Sequence, residues 1–519
     1  MNYPTICAVF IAVGSTLFTC VPGATAELQN VEVGGSVETY GVWYSEYFTP
    51  DRIVWPTFFL PRRPIGLGGT ISGIGSDGHS TDFIEQRIKL NARADFTRDV
   101  TAFIEVDSHW TWGDEFRSDY RTGQDGTARN NAGDPEIYQA YIMADKLAGT
   151  PLRMTIGRQE LSFGDEWLVG TNSDPDPFSE HTFDALRLTY DSELWVIDVW
   201  ASILAEGGST AEDDDDVMFY GLYASYRGIE NMELDAYYLF VRDPRRINDT
   251  NFIAPLEWIE DIAGLDDYDG TSLHTVGLRA SGLAGSFDWY AEAAYQWGDA
   301  GTLGSQFRPF GVYGDSRAKY DNWAGVFEVG YSFDVRFAPR VYVTGAYYGA
   351  NDERELSFWE WLNPFDLSEA SVAFNRLFSG QRHNHFIDAS ANSNNWFVQG
   401  GVEFAVTESL DVGVSALYQE YVEPFDLPLF FAVGGLRVPI APALSFLTQE
   451  GSADLGVEVG LVATYHYTED LSFEIGYIHN FIGDGLRDGG FFDFNATSFV
   501  GGTSDKDADS VYFLTTLAF

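Results

Sequence analysis

The chain has 519 residues, a formal net charge of −48 and an aromatic content of 16%, with 53 glycines and 40 phenylalanines. An excess of negative charge this large makes nucleic acid an unfavourable partner, because phosphates would be repelled. Beyond the N-terminal leader there is no run of about 18 consecutive apolar residues, so no transmembrane helix is predicted. Many aromatics and glycines without long apolar runs favour an all-β protein. They suit a membrane barrel, which needs aromatic residues at both interfaces.

The first 26 residues have the features of a secretory signal peptide. Residues 6–18 are largely apolar, and Ala24-Thr25-Ala26 supplies a small-residue cleavage pattern. Both cysteines, Cys7 and Cys20, lie in this segment. We therefore expect residues 27–519 to have no disulfide, no cysteine metal site and no cysteine nucleophile. We also expect them to form one domain, since a barrel cannot be divided without exposing strand edges to lipid.

Eighteen segments of residues 27–519 alternate apolar and polar side chains with the period of two that indicates β-strands. They are residues 33–44, 83–96, 100–107, 136–144, 152–159, 183–190, 194–202, 217–226, 232–241, 272–280, 287–297, 323–333, 340–348, 396–406, 410–418, 455–467, 471–481 and 510–519. Their connections are alternately long and short, as in outer-membrane barrels with short periplasmic turns and long extracellular loops. We predict an all-β fold: a transmembrane antiparallel β-barrel of about 18 strands in the bacterial outer membrane.

Residues 83–96 show the alternation most clearly. Ile88, Leu90 and Ala92 fall on one face, whereas Arg87 and Lys89 fall on the other. A soluble β-sandwich would have the same pattern with its apolar face inward. The length and charge of the polar face, together with the regular order of long and short connections, favour a barrel with a wet lumen.

Two features of the long loops bear on function. We expect residues 160–182 and 349–394 to fold into the lumen. The acidic runs at residues 212–216 and 266–269 have two interpretations. They are solvated loops, or they bind divalent cations that bridge to lipopolysaccharide, although neither has complete EF-hand spacing. No other cofactor is predicted.

Two motifs carry a resemblance to a known family. Residues 157–165 have the sequence Gly-Arg-Gln-Glu-Leu-Ser-Phe-Gly-Asp and are followed by Phe-Asp-Ala-Leu-Arg-Leu at 183–188. A second motif, Phe-Asn-Arg-Leu-Phe at 374–378, is followed by His383 and Phe386. Together they resemble the alginate-export family of bacterial outer-membrane porins. The resemblance implies an arginine-rich constriction that guides an acidic polysaccharide, with Arg153, Arg158 and Arg187 in that role.

The polar faces of the strands supply the remaining candidates for the lining of the passage. The basic and motif residues are Arg87, Lys89, Arg93, Gln159, Asp165, Asp184, Arg279 and Arg340, and the acidic residues are Glu85, Asp95, Glu105, Asp107, Glu292, Glu328, Glu403 and Glu458. Strict alternation would place Arg158 on the same side as Ile156, so its inclusion assumes that the loop begins there. As an alternative, these arginines pair with acidic neighbours and hold the shape of the barrel.

We expect a passive porin for hydrophilic solutes and no catalysis. The alternatives are a general or cation-preferring porin, a barrel enzyme with a spatially assembled triad, and a non-conducting adhesin or envelope anchor with acidic binding loops. His383, His385 and Asp388 form a weak candidate metal site. The expected partners are outer-membrane lipid, lipopolysaccharide, the transported solute or polysaccharide, periplasmic export proteins, and the barrel-assembly machinery, which would recognise the terminal strand ending at Phe519.

Overall fold

A computed structural model describes most of residues 27–519. The described residues are 27–45, 80–96, 99–113, 135–171, 178, 180–206, 216–244, 271–301, 306–308, 311–313, 318–350, 370–383, 385–386, 393–424, 426–428, 430–433, 436–439, 448–450, 452–487, 490–492, 498–500 and 507–519. The predicted signal peptide, most of the acidic 212–216 run and all of the 266–269 run lie outside these ranges.

Eighteen long strands form one sheet, which confirms the predicted number. They are β1 (Leu28–Ser45), β2 (Thr81–Phe96), β3 (Val100–Thr111), β4 (Glu136–Ala144), β5 (Leu152–Gln159), β6 (Phe183–Asp191), β7 (Trp195–Ala205), β8 (Val217–Ile229), β9 (Met232–Asp243), β10 (Thr271–Ala284), β11 (Phe287–Gly301), β12 (Ala318–Ser332), β13 (Arg340–Tyr348), β14 (Asn395–Thr407), β15 (Leu410–Tyr421), β16 (Asp454–His466), β17 (Leu471–Ile482) and β18 (Ala508–Ala518). Among the described residues, no helix is long and apolar enough to span a bilayer.

The sheet closes on itself to form a barrel. Each strand pairs antiparallel with the next in the chain, and β1 also pairs with β18, so that Val37 lies opposite both Ile88 and Leu517. The terminal residue joins this seam, because Phe519 and Gly35 exchange two backbone hydrogen bonds of 3.0 Å. Closure pairs the backbone of the first and last strands, which satisfies the requirement that no open sheet edge faces lipid.

The two faces of the barrel differ in the way that alternation predicts. Large apolar side chains point outward and are exposed, such as Leu90, Ile104 and Leu278. Their neighbours along the strands point inward and are polar, and several are buried, such as Arg87 and Arg279. Because lipid covers the outer surface, the exposed apolar side chains are satisfied there. The inward polar side chains must instead find partners inside the barrel.

The connections are short at one end of the barrel and long at the other. Short turns include Glu230-Asn231 and Gly285-Ser286, where Asn231 and Gly285 have positive φ angles of 57° and 67°. Asn and Gly favour this backbone in tight hairpins. A 3-10 turn (Leu147–Gly149) lies at the same end. The long-loop end carries the short helix α1 (Asp484–Arg487), four small two-stranded sheets, and a segment (Ala370–Val372) that pairs parallel with the first residues of β12.

Candidate functional site

Two long loops meet inside the barrel. Loop A (residues 160–182) joins β5 to β6, and loop B (residues 349–394) joins β13 to β14. The N–H of Gly170 donates to the carbonyl of Phe378 at 2.8 Å, and the N–H of Phe378 donates to the carbonyl of Leu168 at 2.9 Å. A third bond links the N–H of Gly380 to the carbonyl of Glu166 at 2.8 Å. We call residues 162–171 and 374–381 together the loop bridge.

Aromatic side chains fasten the loop bridge to the inner wall. Phe163 stacks on Trp200 of β7, with ring centroids 4.6 Å apart, and on Tyr223 of β8 at 4.9 Å. Trp167 is fully buried, and its Nε1–H donates to the hydroxyl of Tyr348 on β13 at 3.0 Å. Buried aromatics of this size contribute much of the packing energy of a core. The loop bridge is therefore a packed layer inside the lumen.

Polar contacts fix both loops to the opposite strands β10 and β11. Arg279 of β10 donates from Nε to Asp165 of loop A at 2.7 Å. The side chain of Gln296 on β11 exchanges two 2.7 Å hydrogen bonds with the backbone of Asn375 in loop B. Gly164 has a φ of +57°, and a Cβ there would lie 2.8 Å from the Cδ of Arg279. Only glycine allows the loop to approach the wall this closely.

The far part of loop A reaches the strands next to the barrel seam. Phe178 packs edge-on against Tyr40 of β1. Glu180 accepts a hydrogen bond from Arg87 at 2.9 Å and also pairs with Lys89. Burial opposes ionisation of Glu180, but Lys89 and Arg87 outweigh it and hold the pKa of its carboxyl below the ordinary value. Loop A thus contacts the wall at two separated places.

Seven of the predicted lining cations lie on the inner face, and each has an acidic partner within ion-pair distance. They are Arg87, Lys89, Arg93, Arg153, Arg187, Arg279 and Arg340. Eleven carboxylates are their partners: Asp95, Asp107, Asp145, Asp165, Glu180, Asp198, Glu233, Asp235, Asp288, Glu328 and Glu403. Within these seven groups the carboxylates outnumber the cations.

The other predicted acids also face inward. Glu85 accepts from Thr111, Glu105 from Asn91, Glu292 from Tyr237, and Glu458 from the N–H groups of His385 and Phe386. Gln159 is buried in the wall, where its Nε2 donates to the carbonyl of Ala185 at 3.0 Å.

The expectation that Arg158 and Asp184 line the passage is wrong. The two side chains pair with each other at 2.9 Å and are about half exposed, at 45% and 54%. They lie on the outer face with Ile156, because β5 continues as a regular strand through Gln159 and the loop begins after it. Strict alternation therefore applies at Arg158.

Sequence reasoning missed several residues that shape the site. Glu166 and Glu180 were not singled out, because nothing in the local pattern marks a loop carboxylate that will be buried. The positions of Asp198, Asp235 and Asp288 could have been predicted from the sequence. Each lies at an inward position of an alternating strand, next to an inward arginine on the neighbouring strand or one strand beyond.

The histidine pair of loop B has structural partners. His383 lies 3.0 Å from the hydroxyl of Tyr348, and His385 lies 2.9 Å from the hydroxyl of Ser510 on β18. Burial lowers the pKa of His385 to about 4, so its ring is neutral at pH 7. Asp388 lies outside the described residues, and the described part of the chain holds no group of three metal-ligating side chains. Ser510 is fully buried, so we interpret its contact with His385 as an anchor for loop B.

The sequence model of the Alginate export family matches residues 73–496, which is most of the chain. The chain belongs to the Alginate export family. This membership, with the closed barrel and its apolar outer face, places the protein in the bacterial outer membrane as a channel protein. Both motifs that carried the resemblance lie in the matched range, and their loop residues form the loop bridge.

Two solved structures of outer-membrane proteins are similar to this chain at low sequence identity. This Alginate export family chain is 9% identical to the outer membrane protein OprD from Pseudomonas aeruginosa, over 96% of this chain and 95% of that chain, with a TM-score of 0.48. It is 12% identical to the outer membrane channel DcaP of Acinetobacter baumannii, over 97% of this chain and 99% of that chain, with a TM-score of 0.40. A comparison with curated proteins finds no match.

Proposed function

We propose that this protein is a passive channel for hydrophilic solutes that favours cationic and neutral solutes over anionic ones. The solutes pass through the part of the lumen that the loop bridge leaves open. No covalent step is required, because the driving force is the concentration gradient. The inner wall and the edge of the loop bridge set the size and charge of what passes.

The excess of carboxylates around the inward cations carries this proposal. Arg279 is contacted by Asp165 and Asp235 at 2.7 and 2.9 Å, with Glu233 at 3.8 Å. The negative charge of these three carboxylates exceeds the single positive charge of the guanidinium. Fixed charge of one sign in a confined passage raises the local concentration of oppositely charged solutes. Cations are therefore favoured at the lumen wall.

Export of an acidic polysaccharide is the second candidate, and family membership favours it. A polyanion would need cations that remain accessible. Arg93 and Arg153 are the most exposed of the seven inward cations, at 46% and 44%, and both lie at the short-turn end of the barrel. This route would begin at these two arginines on the periplasmic side and would involve periplasmic export partners.

Liposome flux measurements distinguish the two candidates. Purified protein is reconstituted into vesicles, and the entry of three solutes of equal size is compared: a neutral saccharide, an organic amine and a uronate oligosaccharide. We expect the amine to enter fastest and the uronate slowest. Faster entry of the uronate than of the amine would replace the proposal with polyuronate export. No flux of any solute through folded protein would overturn both.

Three further assignments remain proposals. Acidic loops that bind divalent cations would link the protein to lipopolysaccharide. The barrel-assembly machinery would recognise β18, the strand that ends next to Phe519. Removal of residues 1–26 as a signal peptide would precede assembly.

A further inference from the structure

Glu166 lies where loops A and B meet. Glu166 has a φ of +59°, a left-handed backbone that non-glycine residues rarely adopt. Its carboxylate accepts hydrogen bonds from Ser162 Oγ at 2.6 Å and from the N–H of Thr171 at 3.2 Å. Its carbonyl accepts from Gly380 of loop B. One residue therefore closes the turn of loop A and ties it to loop B.

Two glycines make room for this carboxylate. A Cβ on Gly380 would lie 2.3 Å from Glu166 Oε2, and a Cβ on Gly170 would lie 2.4 Å from the Cβ of Glu166. Distances this short require the Glu166 side chain to leave its place or the loops to move apart. The side chain of Glu166 is thus enclosed between one glycine from each loop, an arrangement that requires all three residues.

The neighbouring residues extend the same connection. The side chain of Gln381 donates to the carbonyl of Asp165 at 2.5 Å, while Asp165 itself is held by Arg279 of the wall. The carboxylate of Asp165 is 40% exposed, and its backbone lies next to Glu166, so the contacts of Glu166 help to fix its position. The junction at Glu166 therefore sets where a charged edge of the passage lies.

We propose that Glu166 is a positioning residue that locks loops A and B into one fixed unit, so that solutes pass beside this unit and no loop has to lift. The effect on solute passage rests on the proposed channel function. The fixed contact between loops A and B is a property of the fold alone. It assigns the two family motifs a shared role, because Glu166 follows the first motif directly and Gly380 lies two residues beyond the second.

Amide hydrogen exchange on the folded, reconstituted protein tests the lock without requiring conduction. We expect the amides of Gly170 and Phe378 to be protected. Gly380→Ala and Glu166→Ala should each speed their exchange by about ten-fold or more, because the docked loops would open more often. Gly400→Ala is the matched control, since a Cβ on Gly400 meets no atom within 4 Å. Unprotected amides in the natural protein, or unchanged exchange in both variants, would overturn the proposal.

Single-channel recordings test the consequence. Glu166→Ala and Gly380→Ala should increase the current fluctuations of the open channel, whereas Gly400→Ala should not. Glu166→Gln should keep the quiet currents of the natural channel, because its amide can still accept from Thr171 and can donate to Ser162. Quiet currents in all variants, or long closures of the natural channel that Glu166→Ala abolishes, would contradict a fixed passage. If the natural protein does not conduct at all, the proposed function is overturned. Hydrogen exchange then tests the fixed contact between the loops by itself.

Discussion

Arginine side chains on the inner wall are held in place by acidic side chains of neighbouring strands. Arg340 contacts Asp288 and Glu328 at 2.5 and 2.6 Å, and Glu403 at 3.4 Å. Partly buried ion pairs lose hydration, and the cost is offset only when the donors of the cation find hydrogen-bond acceptors, as those of Arg340 do. The cations thus connect neighbouring strands and their charge is satisfied locally. We propose that the surplus carboxylates of these groups contribute the field that a solute meets.

Arg87 provides a test of this structural role. Its side chain is 1% exposed and contacts both Asp107 and Glu180. Arg87→Ala would leave Asp107 without its cation and Glu180 with Lys89 alone, and we expect a loss of about 3 kcal/mol in the free energy of unfolding. Denaturant titration of the reconstituted protein measures it. Lys146→Ala is the control, because Lys146 and its partner Asp99 are largely exposed, and it should unfold like the natural protein.

Asp165 should contribute to ion selectivity, because it is an exposed carboxylate at the edge of the loop bridge. We expect Asp165→Asn to lower the cation-to-anion permeability ratio, while Arg279 keeps its second partner Asp235. Reversal potentials under a salt gradient measure the ratio. Asp184→Asn removes a carboxylate from the outer face and should leave the ratio unchanged. An equal effect of the two substitutions would contradict the assigned faces.

Strands and loops differ in how far their structure follows from the sequence. Alternation decides the face of every strand residue, so Arg87 inward and Leu90 outward could be predicted. The error at Arg158 comes from assuming that the loop begins at this residue, whereas alternation applies as far as Gln159, the last residue of both the predicted and the observed strand. Contacts between loops follow no local period, and Glu166 meets Gly380 across 214 residues of chain. Their meeting depends on a left-handed backbone angle and on close glycine packing, which a single sequence does not display.

The lipid-facing surface of β10 tests the assignment of the strand faces. Leu278 is 66% exposed in the middle of the strand. Leu278→Arg would place a charge against the hydrocarbon region, and we expect a loss of about 2–4 kcal/mol in the free energy of unfolding from lipid vesicles. Leu194→Arg, in the short turn between β6 and β7, should cost much less because water reaches the turn. Equal costs would show that Leu278 does not face the membrane interior.

The whole molecule combines a closed barrel with an internal layer. Each of the eighteen strands is paired with a neighbour on both sides, including β1 and β18 at the seam. A barrel of this size leaves an aqueous lumen unless something fills it. The loop bridge fills part of it with aromatic side chains, and the seven inward cations lie among eleven carboxylates. We propose that the loop bridge limits the size of the passage and that these carboxylates set its charge.

The proposed cation-favouring channel is tested most directly by single-channel recording in a planar bilayer. The reversal potential is measured under a salt gradient, and polyuronate is then added to each side. We predict open channels with a reversal potential on the cation-selective side and no block by polyuronate. Anion-selective channels that polyuronate blocks would contradict the acidic passage and support polysaccharide export. The absence of any conductance from correctly folded protein would contradict the channel itself.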